Sequence, residues 1–216
     1  MAHAAGPRDG VSRDAWRAAE DRAGVELPAA LREAYLLFGR RPDLTCRQDR
    51  LVPPHQPGLD ESGRVVVFRV ENQGCAEWGV AAADLASADP PVYLRARPGG
   101  GWEPFLDRVS VACVELVLSE VVIGQGHLGD MCDLPGGLIT VAESAYVQLA
   151  LPEYRLWAGR GITVRWFSAP GKLVRMDGRG PCWLLAAGQT PADLDAIRAA
   201  IRGPWTRLQR LGLRHR

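Results

Sequence analysis

Val65-Val66-Val67-Phe68-Arg69-Val70-Glu71-Asn72-Gln73-Gly74-Cys75-Ala76-Glu77-Trp78-Gly79-Val80 is the stretch whose reading decides the fold. Val65, Val66, Val67, Phe68 and Val70 are β-branched or aromatic and favour a pleated, half-buried backbone, so they predict a strand. Asn72-Gln73-Gly74 then predicts a turn, because Asn and Gly accept backbone conformations that other residues resist. Trp78-Gly79-Val80 reads as a short return strand, which makes the unit an antiparallel pair.

Working outward toward the N-terminus, a helix is expected from about Ser12 to Arg22, with Ser12 as cap, Asp14 at the positive end of the helix dipole and Gly24 as stop. A second begins at Pro28 and places Leu31, Ala34, Tyr35 and Phe38 on one face before Gly39 ends it. Residues 41–63 contain Pro42, Pro53, Pro54, Pro57 and Gly58 and read as loop. On the C-terminal side, Val92 to Arg97 predicts a strand with Tyr93 on one face. In Ser110 to Ile123 the valines favour a strand, whereas the length and the spacing of Val111, Val114, Leu118 and Val121 favour a helix. We read it as helix. Strand-like runs occur next at Ile162–Phe167, Leu173–Met176 and Cys182–Ala186. Thr190-Pro191-Ala192-Asp193 is a capping box that opens a last helix, with Leu194, Ile197 and Ile201 inward and Gly203-Pro204 at its end. The elements do not alternate as parallel βαβ units do, which predicts an α+β fold with a largely antiparallel sheet flanked by N-terminal helices, a middle helix and a C-terminal helix. Nothing from Arg97 to Gly161 has linker composition. The expected organisation is a flexible N-terminus at 1–11, one domain at 12–203 and a basic Arg-rich tail at 204–216.

The chain has 216 residues, 24% charged and 47% hydrophobic, a globular composition. Its formal charge of +1 conceals an asymmetry: residues 1–150 carry 14 basic and 21 acidic side chains, a net of −7, and residues 151–216 carry 12 and 4, a net of +8. The longest run without a charge, Gly180 to Ala192, has 13 residues and contains Pro181, Gly188 and Pro191. A membrane-spanning helix needs about 20. The N-terminus shows no apolar signal region, and the five cysteines lack a Cys-x-x-Cys pair, so the expectation is a cytoplasmic protein with reduced thiols.

The chemical motifs are sparse. Gly124-Gln125-Gly126-His127-Leu128-Gly129 matches the spacing of a dinucleotide-binding loop. That loop must come after a strand and open a helix, whereas here a predicted helix precedes it and Pro135-Gly136-Gly137 interrupt the segment after it. His3, His55, His127 and His215 have no partners at ligand spacing, so no metal and no cofactor are expected. No cysteine stands in a nucleophile context, so no catalytic residue is assigned. Arg198, Arg202, Arg207, Arg210, Arg214 and Arg216 accompany Trp205, Leu208 and Leu211. Phosphate contact, an anionic partner or lipid surface, and pairing with the acidic first 150 residues are the three readings of that end. The near-zero total charge favours the last, because a nucleic-acid binder is more often basic as a domain.

Val67-Phe68-Arg69-Val70-Glu71-Asn72-Gln73-Gly74, followed by Trp78-Gly79-Val80 and Asp89-Pro90-Pro91-Val92-Tyr93, is similar to the signature of the SUKH superfamily, the Smi/Knr-like domains. Leu27-Pro28-Ala29-Ala30-Leu31-Arg32-Glu33-Ala34-Tyr35 into Phe38-Gly39 resembles that family's opening element, and Leu51-Val52-Pro53-Pro54 its next loop. The resemblance covers about 27–123; beyond Gly124 it is one of architecture. It implies one curved sheet, no shared catalytic apparatus, and protein partners. Bacterial members are commonly immunity proteins that neutralise a cognate toxin, and fungal relatives are signalling adaptors. The function expected is therefore non-enzymatic protein binding, as an immunity protein whose toxin is encoded nearby, the alternative being an intracellular regulatory scaffold with no toxin. The loops holding Asn72, Gln73 and Trp78, and Asp89, Pro91 and Tyr93, are the expected partner surface. Turn chemistry alone also accounts for Asn72, the chain's only asparagine, and a core role for Trp78.

Overall fold

The computed structural model describes residues 9–206 apart from His55, Pro57, Arg97, Pro98, Arg160 and Pro181. Residues 1–8 of the expected flexible N-terminus and 207–216 of the basic tail lie outside the described residues, as do His3, His55 and His215. The fold is α+β with antiparallel strands throughout, divided between two sheets. The chain forms two compact units, residues 2–120 and residues 121–216. The division falls inside the helix Val109–Gly124, which is why no linker composition marks it in the sequence.

In the first unit, α1 (Arg13–Ala23) starts where the Ser12 hydroxyl accepts the N–H of Ala15 at 3.2 Å and ends at Gly24 with φ 66°. Helix α2 (Ala29–Phe38) begins after Pro28 and buries Leu31, Ala34 and Tyr35. Trp16 of α1 packs on Tyr35 with ring centroids 5.2 Å apart, and the Tyr35 hydroxyl donates to the Val52 carbonyl. Within 41–63, expected to be loop, the structure has α3 (Pro42–Thr45), β1 (Asp49–Leu51) and β2 (Gly58–Leu59). The apolar alternation of β1 is hidden because its first inward position is the acid Asp49.

Strands β3 (Val65–Glu71) and β4 (Ala76–Ala81) form the expected antiparallel pair, with β5 (Val92–Ala96) and β6 (Glu103–Leu106) continuing the sheet in the order β1-β3-β4-β5-β6 and β2 on β3. Gly79 is required in β4, since a Cβ there would lie 2.4 Å from Val65 Cγ1 and 2.8 Å from the Val66 carbonyl oxygen. The 110–123 segment is indeed helical, as α4 (Val109–Gly124).

The second unit is a sheet of β7 (Gly129–Leu134), β8 (Val147–Gln148), β9 (Tyr154–Arg155), β10 (Thr163–Ala169), β11 (Lys172–Asp177), β12 (Cys182–Gly188) and β13 (Trp205–Thr206). Its order is β13-β7-β12-β11-β10-β8, with β9 also on β10. Helices α5 (Gly136–Ala145) and α6 (Pro191–Ala200) contribute Ile139, Ala142, Leu194 and Ile197 to a core shared with Cys132, Leu134, Phe167, Val174, Met176 and Leu184. Thr190 and Asp193 form the capping box of α6 as the sequence predicts. The glycine run 124–129 leads into the strand β7, and Pro135-Gly136-Gly137 open α5 instead of interrupting the chain, since proline is tolerated at a helix start. Among the described residues, no helix is long and apolar enough to cross a membrane.

Candidate functional site

The expected turn at the end of β3 is shaped by a buried carboxylate. Glu71 is 3% exposed and accepts the N–H groups of Gln73 at 2.8 Å and Cys75 at 3.2 Å, together with Gln48 Nε2 at 3.1 Å. The Gly74 N–H returns to the Glu71 carbonyl at 2.8 Å, with φ 74° at Gly74. Fastening the turn from inside leaves the side chains of Asn72 and Gln73 exposed.

The loop that enters β1 is fastened in the same way. Glu120 on α4 is fully buried, and its carboxylate accepts three consecutive backbone N–H groups, from Arg47, from Gln48 at 3.0 Å and from Asp49 at 2.8 Å. The converging amides make a small anion nest. Asn72 joins the two loops, its N–H reaching the Gln48 carbonyl at 3.0 Å and its Nδ2 the Arg47 carbonyl at 3.2 Å.

Beneath both loops sits Arg69, 2% exposed. Its Nε donates to Asp49 Oδ2 at 2.9 Å, its Nη1 donates to Glu115, and its guanidinium carbon lies 4.0 Å from the centroid of the Trp78 ring. The Ser119 hydroxyl donates to the other oxygen of Glu115 at 2.7 Å. Burial alone would lower the Arg69 pKa, but Asp49 and Glu115 hold it above its usual value. For Glu120 burial is the largest influence and raises the pKa; the amides of residues 47–49 pull it down and the Asp49 charge pushes it up, leaving it raised.

The two loops border a cleft of about 410 Å³ whose lining includes Cys46, Arg47, Asp49, Arg50, Glu71 and Asn72. Cys46, Arg47 and Arg50 are exposed at it. A second cleft of about 550 Å³ lies between the start of α2 and residues 82–88, walled largely by Val25, Leu27, Ala82, Leu85 and Ala86.

The six residues expected at the partner surface are distributed over this unit. Asn72 lines the first cleft, and Gln73, next to it in the turn, is exposed. Trp78 is 1% exposed, under Arg69 and edge-on to Phe105, with its Nε1 lacking a hydrogen-bond partner; it is a core side chain. Asp89 accepts the Ser110 N–H at 2.8 Å and hydroxyl at 2.6 Å and so caps α4. Pro91 and Tyr93 are half-buried, and Tyr93 pairs with Gly79. The 72–75 turn leads into the start of β4 at Ala76, whereas Asp89 and Pro91 lie past the pairing of Tyr93 with Gly79, toward the other end of that strand. The sequence reading missed Arg47, Arg50, Glu71, Glu115 and Glu120. Glu115 and Glu120 are legible as charges in a largely apolar helix, as is Arg69 in a strand of valines, whereas Arg47 and Arg50 stand in a polar stretch and carry no such signal.

Among the described residues no group of three or more His, Cys, Asp or Glu could hold a metal ion. The five cysteines form no disulfide. Burial pushes the thiols of Cys113 and Cys132 up to about 12 and that of Cys182 up to about 11, which keeps them protonated at neutral pH. The chain matches no family model, no curated protein and no solved structure.

Proposed function

We propose that this chain is a non-enzymatic protein-binding module of the SUKH type, an immunity protein that binds a cognate toxin encoded nearby and neutralises it in the cytoplasm. One observation carries the reading: the 46–50 and 71–75 loops present exposed polar side chains while buried carboxylates hold their backbones. Such a surface is organised before it meets a partner, so binding loses little conformational entropy. The carboxylates of Asp49, Glu71, Glu115 and Glu120 are engaged in holding the protein, as is Asp89 in capping α4, and three of the five thiols are buried and protonated. That disposition suits recognition better than acid–base or thiol chemistry.

Co-expression with the product of the adjacent gene is the test. Growth of a host producing that toxin is restored by this chain, and the two proteins co-purify. A toxin that kills equally well in its presence, with no complex recovered, overturns the immunity reading.

A further inference from the structure

Three times in this molecule a guanidinium lies over an indole while a carboxylate accepts its N–H groups. Arg69 lies 4.0 Å from the centroid of Trp78 and donates to Asp49 at 2.9 Å. Arg95 lies 4.7 Å from that of Trp102 and donates to Glu77 at 2.6 Å. Arg175 lies 5.7 Å from that of Trp166 and donates to Asp177 at 2.7 Å. Trp183, on β12 of the second unit, has the carboxylate and lacks the guanidinium. It is 55% exposed, and among the described residues, which include all seven tryptophans, no other indole is exposed. Its register partner on β7 is Asp133, also exposed. Cys182 and Leu184, on either side of Trp183, belong to the core shared with α5 and α6, so Trp183 and Asp133 stand on the opposite face of the sheet. Residues directly opposite across an antiparallel pair have Cβ atoms about 5 Å apart, which sets the carboxylate beside the indole. Asp133 makes no ion pair and no side-chain hydrogen bond among the described residues, and no described guanidinium lies over the Trp183 ring. The cations nearest in the strand order are already matched: Arg175 has Asp177, and Arg179, in the connection entering β12, has Glu153 at 2.6 Å.

Building on the protein-binding reading, we infer that Trp183 and Asp133 receive an arginine side chain of the protein partner, its guanidinium flat on the indole and its N–H groups on the Asp133 carboxylate. The ring face and the unpaired charge both attract a cation, and a planar guanidinium satisfies the two at once, whereas a lysine ammonium is a point charge that stacks on neither. Tryptophan and arginine are also the side chains that most often dominate binding energy at protein interfaces.

The test is an NMR titration of the full chain, with the Trp183 indole N–H signal assigned as the one missing from Trp183→Phe. Three probes are used: a synthetic peptide of alternating arginine and serine, the same peptide with citrulline for arginine, which keeps the shape and removes the charge, and the same peptide with lysine. The arginine peptide shifts the Trp183 indole signal and the amides of 131–133 and 182–185 saturably, the citrulline peptide does not, and the lysine peptide binds more weakly. Trp183→Ala and Asp133→Asn each weaken arginine binding by about three- to fivefold. Asp133 is exposed and unpaired, so D133N leaves the unfolding midpoint unchanged and the comparison does not depend on the tryptophan variant folding. Replacing the tail arginines, R207Q/R210Q/R214Q/R216Q, leaves the Trp183 signal of the free protein where it is. Absence of saturable shifts at Trp183, equal binding of the citrulline or lysine peptide, undiminished binding by D133N, or a Trp183 signal moved by the tail substitutions, which would make the chain's own C-terminal residues the occupant, overturns the inference. The two readings fail separately: protection of the host retained in full by W183A/D133N removes the arginine contact and leaves immunity standing, whereas a wild-type chain that does not protect removes immunity while the titration still decides the arginine site.

Discussion

Arg69 enters β3 between Phe68 and Val70, where a strand of this composition would ordinarily bury another aliphatic side chain. Its charge is balanced from both sides, by Asp49 on β1 and Glu115 on α4, and its flat face lies on Trp78. Removing the cation would leave carboxylates buried together in a low-dielectric interior, a far worse state than removing the whole cluster. Arg69→Met should therefore lower the unfolding free energy by about 3–5 kcal/mol, read from urea midpoints. Combining it with Asp49→Asn and Glu115→Gln should recover most of that loss; a triple variant as unstable as the single one contradicts the account. At this scale the sequence was informative about residue type and silent about partners. Asn72 and Gly74 announce a turn from their own chemistry, whereas the partners of Arg69 lie 20 and 46 positions away and no local pattern names them. Trp78 shows the same limit, since an indole suits a core and a binding surface equally and only the overlying guanidinium decides.

Among the elements, α4 does most to fix the candidate site. Its start is capped by Asp89 from the loop before β5, and near its end Glu120 gathers the amides of residues 47–49. The helix was legible from spacing and length alone. Its inward acids were legible as anomalies, and their role becomes visible only beside β1, a three-residue strand with an acid at its first inward position. Glu120 makes a pH prediction. Its pKa is raised above the ordinary 4.5, chiefly by burial, with Asp49 adding repulsion. A carboxyl raised on folding contributes stability that is fully present below the unfolded-state value and is lost as pH rises through the folded-state value. Glu120→Gln does not titrate, so its stability relative to wild type should rise as pH increases above the unfolded-state value of Glu120. Urea midpoints of the two proteins across that range provide the measurement. A difference between them that stays constant with pH would show that Glu120 does not titrate with a raised value.

For the whole molecule, the opposite charges of the two ends of the sequence suggested that the basic part pairs with the acidic part. Within residues 121–216 two pairs join the basic part to that acidic stretch, Arg165 with Glu143 and Arg198 with Asp130, and the other pairs lie inside the basic part itself. Arg165 meets Glu143, Lys172 meets Asp193, Arg175 meets Asp177, Arg179 meets Glu153, and Arg198 meets Asp130 and Asp195. The Arg198 side chain is 30% exposed while the Asp130 side chain is 2% exposed, so Arg198→Ala should cost about 1–2 kcal/mol, most of it from leaving Asp130 buried without its cation. A loss below a few tenths of a kcal/mol would place Asp130 in better contact with water than the structure has it. The α+β class and the antiparallel pairing were readable from the order of periods along the chain. The division into two compact units was not, because it falls within a continuous helix and leaves no loop to see.

The central claim is that the loops at 46–50 and 71–75 form a pre-organised partner surface on residues 2–120. Hydrogen–deuterium exchange of the full chain, free and saturated with the proposed toxin partner, tests this most directly. The account predicts slowed exchange in those two loops on complex formation, with the core strands β3 and β4 unchanged. Protection confined to residues 121–206, or a complex that leaves both loops exchanging as in the free protein, would contradict it.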